Sequence, residues 1–247
     1  MAKRKRSGKA AAARSEPPPK KSQEESSEDE EGKEDEVEMD FDELVMAGGA
    51  LQQLGAHDAA AETFAKALAL SPDNIDVMVS LASAYEASEQ AEEAIRLYRD
   101  IVALAPSKAA MWFRLGSLLV EQNELTDAIE ALKKVIELDD AGEEGAAYAA
   151  LASCYGEQGD LNAAIALFEN GVERHPASAK FHFNLATMLH ARGGKKDRQK
   201  AVTLYEKAAE LDPENRAEAL EDLAALHEAM GKADKAKEVR ERLTAES

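Results

Sequence analysis

Proline recurs in this chain at a spacing that few folds can use. Pro72 and Pro106 lie 34 residues apart, Pro106 and Pro176 lie 70 apart, and Pro176 and Pro213 lie 37 apart. Each closes an apolar helical phrase: ALALSPDN from Ala67, VALAPSKA from Val102, GVERHPAS from Gly171 and AELDPENR from Ala209. Proline lacks the N–H that a helix interior donates, and it drives the residue before it out of the helical region. Placed at this interval, it ends a helix and redirects the chain. The 70-residue gap is about two intervals, so the pattern predicts a stack of similar units rather than one globular core. From about Asp40 onward the chain is rich in Ala, Leu, Glu and Lys, with apolar residues three and four apart, which predicts amphipathic helices. No segment alternates in the Val-, Ile- and Thr-rich manner of a strand.

Six segments repeat the same set of positions. The first carries Leu44, Ala47, Gly48, Leu51, Ala60, Phe64 and Pro72, and the second Met78, Leu81, Ala82, Tyr85, Ala94, Tyr98 and Pro106. The third has Trp112, Leu115, Gly116, Leu119, Ala128 and Leu132; the fourth has Tyr148, Leu151, Ala152, Tyr155, Ala164, Phe168 and Pro176. The fifth has His182, Leu185, Ala186, Leu189, Ala201, Tyr205 and Pro213, and a weaker sixth has Leu220, Leu223, Ala224, His227 and Ala236. This pattern resembles the tetratricopeptide repeat (TPR) family, whose signature is Trp-x2-Leu-Gly-x2-Tyr, then Ala-x3-Phe, then Pro. The resemblance implies an all-α, right-handed superhelical solenoid of about six helix-turn-helix repeats. Approximate bounds are 41–74, 75–108, 109–144, 145–178, 179–215 and 217–245, an array over 41–245. A small residue in each first helix admits the second helix closely, and each unit buries its faces only against its neighbours. Gly55, Gly159 and Gly231 fall between paired helices, where a helix stop favours positive φ. Asp140 stands where the third unit should have proline, within the irregular DDAGEEG. The stretch Arg192–Lys200 reads as an enlarged, basic, solvated turn inside the fifth unit, and Arg240 marks a solvent-facing end.

The net charge of −19 is unevenly spread. Residues 1–21 carry eight Lys and Arg against Glu16 alone, residues 24–43 carry thirteen acids against Lys33 alone, and residues 44–247 hold a net −14. With Pro17–Pro19 and almost no large apolar side chain before Val37, residues 1–40 read as a disordered tail with a basic part (1–21) and an acidic part (24–43). The cluster Lys3, Arg4, Lys5 and Arg6, with Lys20 and Lys21 downstream, reads as a nuclear-import signal, a solubilising terminus being the alternative. Ser22, Ser26 and Ser27 each have an acid three residues on, as acidophilic kinase sites do. The acidic block has three readings: a solvated spacer, a phosphorylated segment, or a clamp for a basic client.

Catalysis finds no foothold. The five histidines are scattered without a ligand spacing, and His182 takes a packing position. Cys154, the only cysteine, lies among small helical residues and forms no intrachain disulfide. The GGKK at Gly193–Lys196 follows no strand and lacks the rest of a phosphate loop. No apolar run reaches the 18 or so residues a membrane span needs. We expect no enzyme, cofactor or metal, no membrane contact, and, given the acidic balance, no direct nucleic-acid binding.

In the family that this chain resembles, the first helix of each repeat lines a concave surface that holds partner segments. That implies groove positions at Val45, Gly49 and Gln52; Val79, Ser83 and Glu86; Phe113, Ser117 and Val120; Ala149, Ser153 and Gly156; Phe183, Thr187 and His190; and Glu221, Ala225 and Glu228. Phe113 and Phe183 are either anchors for a partner or packing between first helices. Some relatives capture chaperone C-terminal tails through a Lys/Asn/Asn/Lys/Arg set. Here the matching places hold Val45, Gly49, Ser80, Ala110 and Arg114, and only Arg114 fits, so heat-shock chaperone tails are not the expected ligand. The expectation is a non-enzymatic protein-binding scaffold in the nucleus, taking a protein or peptide segment and favouring basic partners; the cytoplasm is the alternative location. The alternative functions are an acidic escort for a histone or ribosomal protein, or a structural subunit of a transcription or RNA-processing complex. Residues 1–22 fused to a fluorescent reporter are expected to carry it into the nucleus; a reporter that stays cytoplasmic removes the import reading.

Overall fold

Twelve α-helices follow one another in the chain, and among the described residues there is no strand. They are α1 (Phe41–Gln53), α2 (His57–Leu70), α3 (Ile75–Ala87), α4 (Ala91–Leu104), α5 (Ala109–Glu121), α6 (Leu125–Leu138), α7 (Glu144–Glu157), α8 (Leu161–Arg174), α9 (Ala179–Arg192), α10 (Lys195–Leu211), α11 (Ala217–Ala229) and α12 (Ala233–Thr244). The computed structural model describes residues 39–138, 144–214 and 216–244. The basic cluster Lys3, Arg4, Lys5, Arg6, Lys20 and Lys21, the serines Ser22, Ser26 and Ser27, and Asp140 lie outside the described residues.

The helices form consecutive antiparallel pairs, each packed on the next, which is the TPR solenoid. Local chemistry sets their ends. Asp40 and Glu43 cap α1 reciprocally, each side chain accepting from the other's backbone N–H, at 2.9 and 3.0 Å. Asn74 Oδ1 accepts from the Val77 N–H at 3.1 Å, and Asp160 Oδ1 accepts from the Ala163 N–H at 3.0 Å. Each described unit-ending proline, Pro72, Pro106, Pro176 and Pro213, stands two residues beyond its helix, whose last residues are Leu70, Leu104, Arg174 and Leu211. Trp112 then returns to that corner and donates to the Pro106 carbonyl at 2.9 Å.

All six turns within the pairs pass through one left-handed residue. Four are the glycines Gly55, Gly159, Gly193 and Gly231; the other two are Glu89 (φ 61°) and Asn123 (φ 60°). Gly55, Gly159 and Gly231 are the glycines that the repeat pattern places there, whereas Glu89 and Asn123 do the same job with a side chain. A left-handed residue is costly for all but Gly and, less so, Asn and Asp, so Glu89 holds this conformation because the packed helices on either side demand it.

The contact that brings two helices of a unit together is visible at Gly48 and Gly116. A Cβ on Gly48 would lie 2.7 Å from the Phe64 ring, and one on Gly116 would lie 2.8 Å from the Leu132 side chain. Ala82, Ala186 and Ala224 hold the same place in other units, almost wholly buried. Around these contacts the buried side chains form three apolar clusters, over α1–α3, α3–α7 and α7–α12. Leu68, Tyr85 and Leu97 pack against both of the first two clusters, and Ile136 and Leu167 against both of the last two, so the core continues from unit to unit.

One expectation is corrected. Arg192–Lys200 is not an enlarged loop: α9 runs to Arg192, Gly193 and Gly194 alone make the turn, and α10 begins at Lys195. The extra residues lengthen α10 to 17 residues, against 14 in α2, α4, α6 and α8. Asp197, in the first turn of α10, accepts two hydrogen bonds from the Arg192 guanidinium, at 2.8 and 2.9 Å, and locks this start against the end of α9.

Gly48→Ala and Gly116→Ala are expected to lose about 1–3 kcal/mol of stability through overpacking. Gly49→Ala, whose Cβ meets nothing within 4 Å, is expected to gain about 0.5–1 kcal/mol by restricting the unfolded backbone. Urea unfolding of the three variants checks this; equal shifts at Gly48 and Gly49 would remove the close-approach argument.

Candidate functional site

Besides packing on their own partners, three pairs of first helices touch one another: α1 touches α3, α5 touches α7, and α9 touches α11. The structure places Val45 and Gln52 on α1, Val79, Ser83 and Glu86 on α3, Phe113, Ser117 and Val120 on α5, and Phe183, Thr187 and His190 on α9. All eleven are half-buried, neither sealed in the core nor standing free. On α7 the corresponding Ala149, Ser153 and Gly156 are exposed and small, and a Cβ on Gly156 would meet nothing within 4 Å. The surface therefore has bulky margins and a bare stretch at the fourth unit.

Side chains tie neighbouring first helices together. Gln52 Nε2 on α1 donates to Ser83 Oγ on α3 at 3.3 Å. Glu86 on α3 receives the Tyr98 hydroxyl from α4 and lies 3.6 Å from the Arg114 guanidinium on α5. At the other end Tyr205 on α10 stands between two first helices: its hydroxyl lies 3.1 Å from Thr187 Oγ1 on α9 and donates to Asp222 Oδ2 on α11 at 3.3 Å. Burial, and then the hydrogen bond to Glu86, hold the Tyr98 phenol above its usual range. Burial also pushes the Tyr205 phenol up, to about 12, with Asp222 and Glu218 adding to the rise and Thr187 opposing it.

Tyr98 and Tyr205 fill the large core position of their second helices, which the repeat pattern anticipated. Their bridging hydroxyls, and the part played by Asp222, it did not. The available signal was the residue type: the same position holds Phe64, Leu132 and Phe168 in other units, so a tyrosine there carries an oxygen that must find a partner. Phe113 and Phe183 combine both of their expected roles. Each packs on the core with part of its ring, Phe183 edge-on to Tyr205 at 5.7 Å between centroids, and each leaves the remainder accessible.

The remaining candidates take structural places. His182 is buried, with Nδ1 2.9 Å from the Ser178 carbonyl oxygen. His227 is buried, and burial together with Lys235 and Lys232 lowers its pKa. The Cys154 thiol is buried and pushed up by that burial, then by Glu157. Among the described residues no group of three or more His, Cys, Asp or Glu is placed to hold a metal ion, and no helix is long and apolar enough to cross a membrane. Arg240 is exposed and reaches Glu228 of α11 at 2.6 Å.

Helix pairs of this period, stacked through small residues in the first helix, define a TPR solenoid. Tetratricopeptide repeat models match residues 44–74, 79–143 and 149–216, and the chain belongs to the tetratricopeptide repeat family. It is similar to the human protein RRP5 homolog, with 24% identity over 143 residues. That match covers 58% of this chain and 8% of RRP5 homolog, so the chain spans less than a tenth of that relative's length. Among solved structures, MamA superposes with a TM-score of 0.57 at 24% identity, covering 70% of this chain and 92% of MamA. YrrB, described as a TPR protein with an unusual peptide-binding site, superposes with a TM-score of 0.52 at 20% identity, covering 71% of this chain and 88% of YrrB.

The Tyr205 environment sets an alkaline dependence. A folded-state phenol at about 12, against 10.0 for an ordinary one, keeps its proton after the unfolded chain has released it. Its contribution is full below about pH 10 and lost as pH rises through about 12. Tyr205→Phe is expected to lose stability less steeply over that window than the native chain, followed by urea unfolding at each pH. Identical slopes would show that the buried phenol carries no such linkage.

Proposed function

We propose that this protein is a non-enzymatic nuclear scaffold that binds a segment of a protein partner along α1, α3, α5 and α9, with basic partners favoured. The observation that carries this is the set of eleven half-buried residues on four first helices, with side-chain bridges from α1 to α3 and from α3 to α5, and with Thr187 of α9 beside the Tyr205 hydroxyl. Such a surface is preorganised: its polar groups are already oriented by Tyr98 and Tyr205, and little side-chain freedom remains to be lost on binding. The accessible parts of Phe113 and Phe183 offer apolar contact, and the small residues of α7 leave room for a partner backbone. The peptide-binding site named for YrrB supports the same use of a related fold. A net −14 over residues 44–247 steers basic segments toward this body and disfavours acidic ones. The Lys3–Arg6 cluster supports nuclear import. Capture of chaperone tails has little support, because Arg114, the single matching residue, is engaged with Glu86.

The acidic block at 24–43 favours a second reading, an escort that shields a histone or ribosomal protein. Its binding would weaken with salt and with deletion of that block.

Ser117→Arg places a long cation in the middle of the proposed surface, whereas Thr126→Arg places one on the exposed start of α6, a second helix. Affinity purification from nuclear extract with quantitative mass spectrometry is expected to show specific partners depleted at least tenfold by Ser117→Arg and retained by Thr126→Arg. Equal retention by both variants would sink the groove reading. Loss of a single basic client on deletion of residues 24–43 would favour the escort.

A further inference from the structure

The helical turn that the fifth unit adds to α10 builds something the other units lack. Together with the turn at Gly231–Lys232 it encloses a cleft of about 380 Å³, lined by Lys195, Arg198, Gln199, Met230 and Lys232. The cleft lies at the within-unit turns of the last two units, apart from the residues of the proposed groove. Two separate elements thus supply three cations to one concavity, and no carboxylate lines it among the described residues.

These cations lie on an acidic body, where several surface cations have partners: Arg96 with Glu93, Arg99 with Asp127, Lys134 with Glu137 and Lys207 with Glu210. Two acids in or against α10 are engaged by other cations, Asp197 by Arg192 at 2.8 Å and Glu169 by Lys200 at 2.6 Å. Among the described residues Lys195, Arg198 and Lys232 enter no ion pair. The Nε of Arg198 is shut off from solvent and has no hydrogen-bond partner. Three cations converging on one concavity repel one another, and an anion held between them offsets that repulsion.

The donor set indicates which anion. A carboxylate is satisfied by one guanidinium, whereas a guanidinium, two ammonium groups and the Gln199 amide converging from two elements suit the three oxygens and near-double charge of a phosphoryl group. A nucleic acid brings such groups in an unbroken series, and the net −14 of residues 44–247 opposes that approach. One phosphorylated side chain on a protein segment incurs far less of that repulsion. We propose that this cleft is a phosphoryl-recognition site that takes a phosphoserine or phosphothreonine of a protein partner. It stands independently of the groove reading, because none of its residues belongs to the groove.

The test uses the unphosphorylated full chain and a fluorescein-labelled Gly-Ser-Gly-phosphoserine-Gly-Ser-Gly peptide with its unphosphorylated twin, followed by anisotropy at low salt. The phosphorylated peptide is expected to bind saturably and its twin at least tenfold more weakly. Lys232→Gln alone should weaken binding at least threefold, and Arg198→Gln with Lys232→Gln at least tenfold. Lys237→Gln, which removes the same charge from a side chain 79% exposed on α12, should stay within twofold. Unchanged thermal unfolding of Lys232→Gln separates loss of the site from loss of the fold. Equal binding of the two peptides, or equal loss in Lys237→Gln, overturns the proposal. So does displacement by inorganic phosphate, or by a 5′-phosphorylated oligothymidylate, at the concentration at which the phosphopeptide itself competes. Binding of peptides blocked by Ser117→Arg but not by Lys232→Gln would locate them in the groove and likewise overturn it.

Discussion

The approach of the second helix of each unit into the small residues of the first is the contact on which the structure depends. Phe64 and Leu132 stand where Gly48 and Gly116 have no Cβ, and the alanines at 82, 186 and 224 serve the same purpose with one methyl group. A pair packed this closely presents its remaining apolar faces outward along the stack, toward the preceding and following units. Leu68, Leu97, Ile136 and Leu167 are then shared between neighbouring parts of the core. No unit has a sealed interior of its own, so each is stabilised by the array; at the sixth unit Arg240 takes the place of a large apolar residue and pairs with Glu228.

The same contact prepares the proposed binding surface. A large apolar or aromatic residue fills the second-helix position in the first five units, and phenylalanine or leucine suffices in three of them. Tyr98 and Tyr205 fill it too, but each carries a hydroxyl through the core to the first-helix side, where it meets Glu86, or Thr187 and Asp222. Core packing thereby orients surface polar groups. Gln52, Ser83, Glu86 and Arg114 continue this from α1 to α5, so neighbouring first helices are linked by side chains as well as by packing.

Individuality resides in the departures from the repeat. In the fifth unit, extra residues lengthen a helix instead of a loop, because Lys, Arg and Gln are good helix formers and Asp197 anchors the new start to Arg192. The consequence is a set of cations brought against Lys232 of the following unit without counter-charges. In the second unit, Glu89 accepts a left-handed backbone that the flanking helices impose.

The sequence by itself determined the helical class, the pairing of helices and the order of the units. Those follow from near-neighbour chemistry: apolar residues three and four apart, prolines two residues past a helix end, and a small residue in each first helix. It also marked His182 and Cys154 as interior residues, since their slots in the repeat are core slots. What the tertiary structure decided was every relation across unit boundaries. The Gln52–Ser83, Glu86–Arg114 and Tyr205–Asp222 bridges join residues 31, 28 and 17 positions apart. Helical periodicity orders side chains only over a turn or two, so it is silent about such partners. The basic stretch after Arg192 shows the same limit. Its composition read as a solvated turn, but whether a Gly-Gly turn closes at once or the chain wanders depends on the packing of α9 against α10. So does the meeting of Arg198 with Lys232, 34 residues further on.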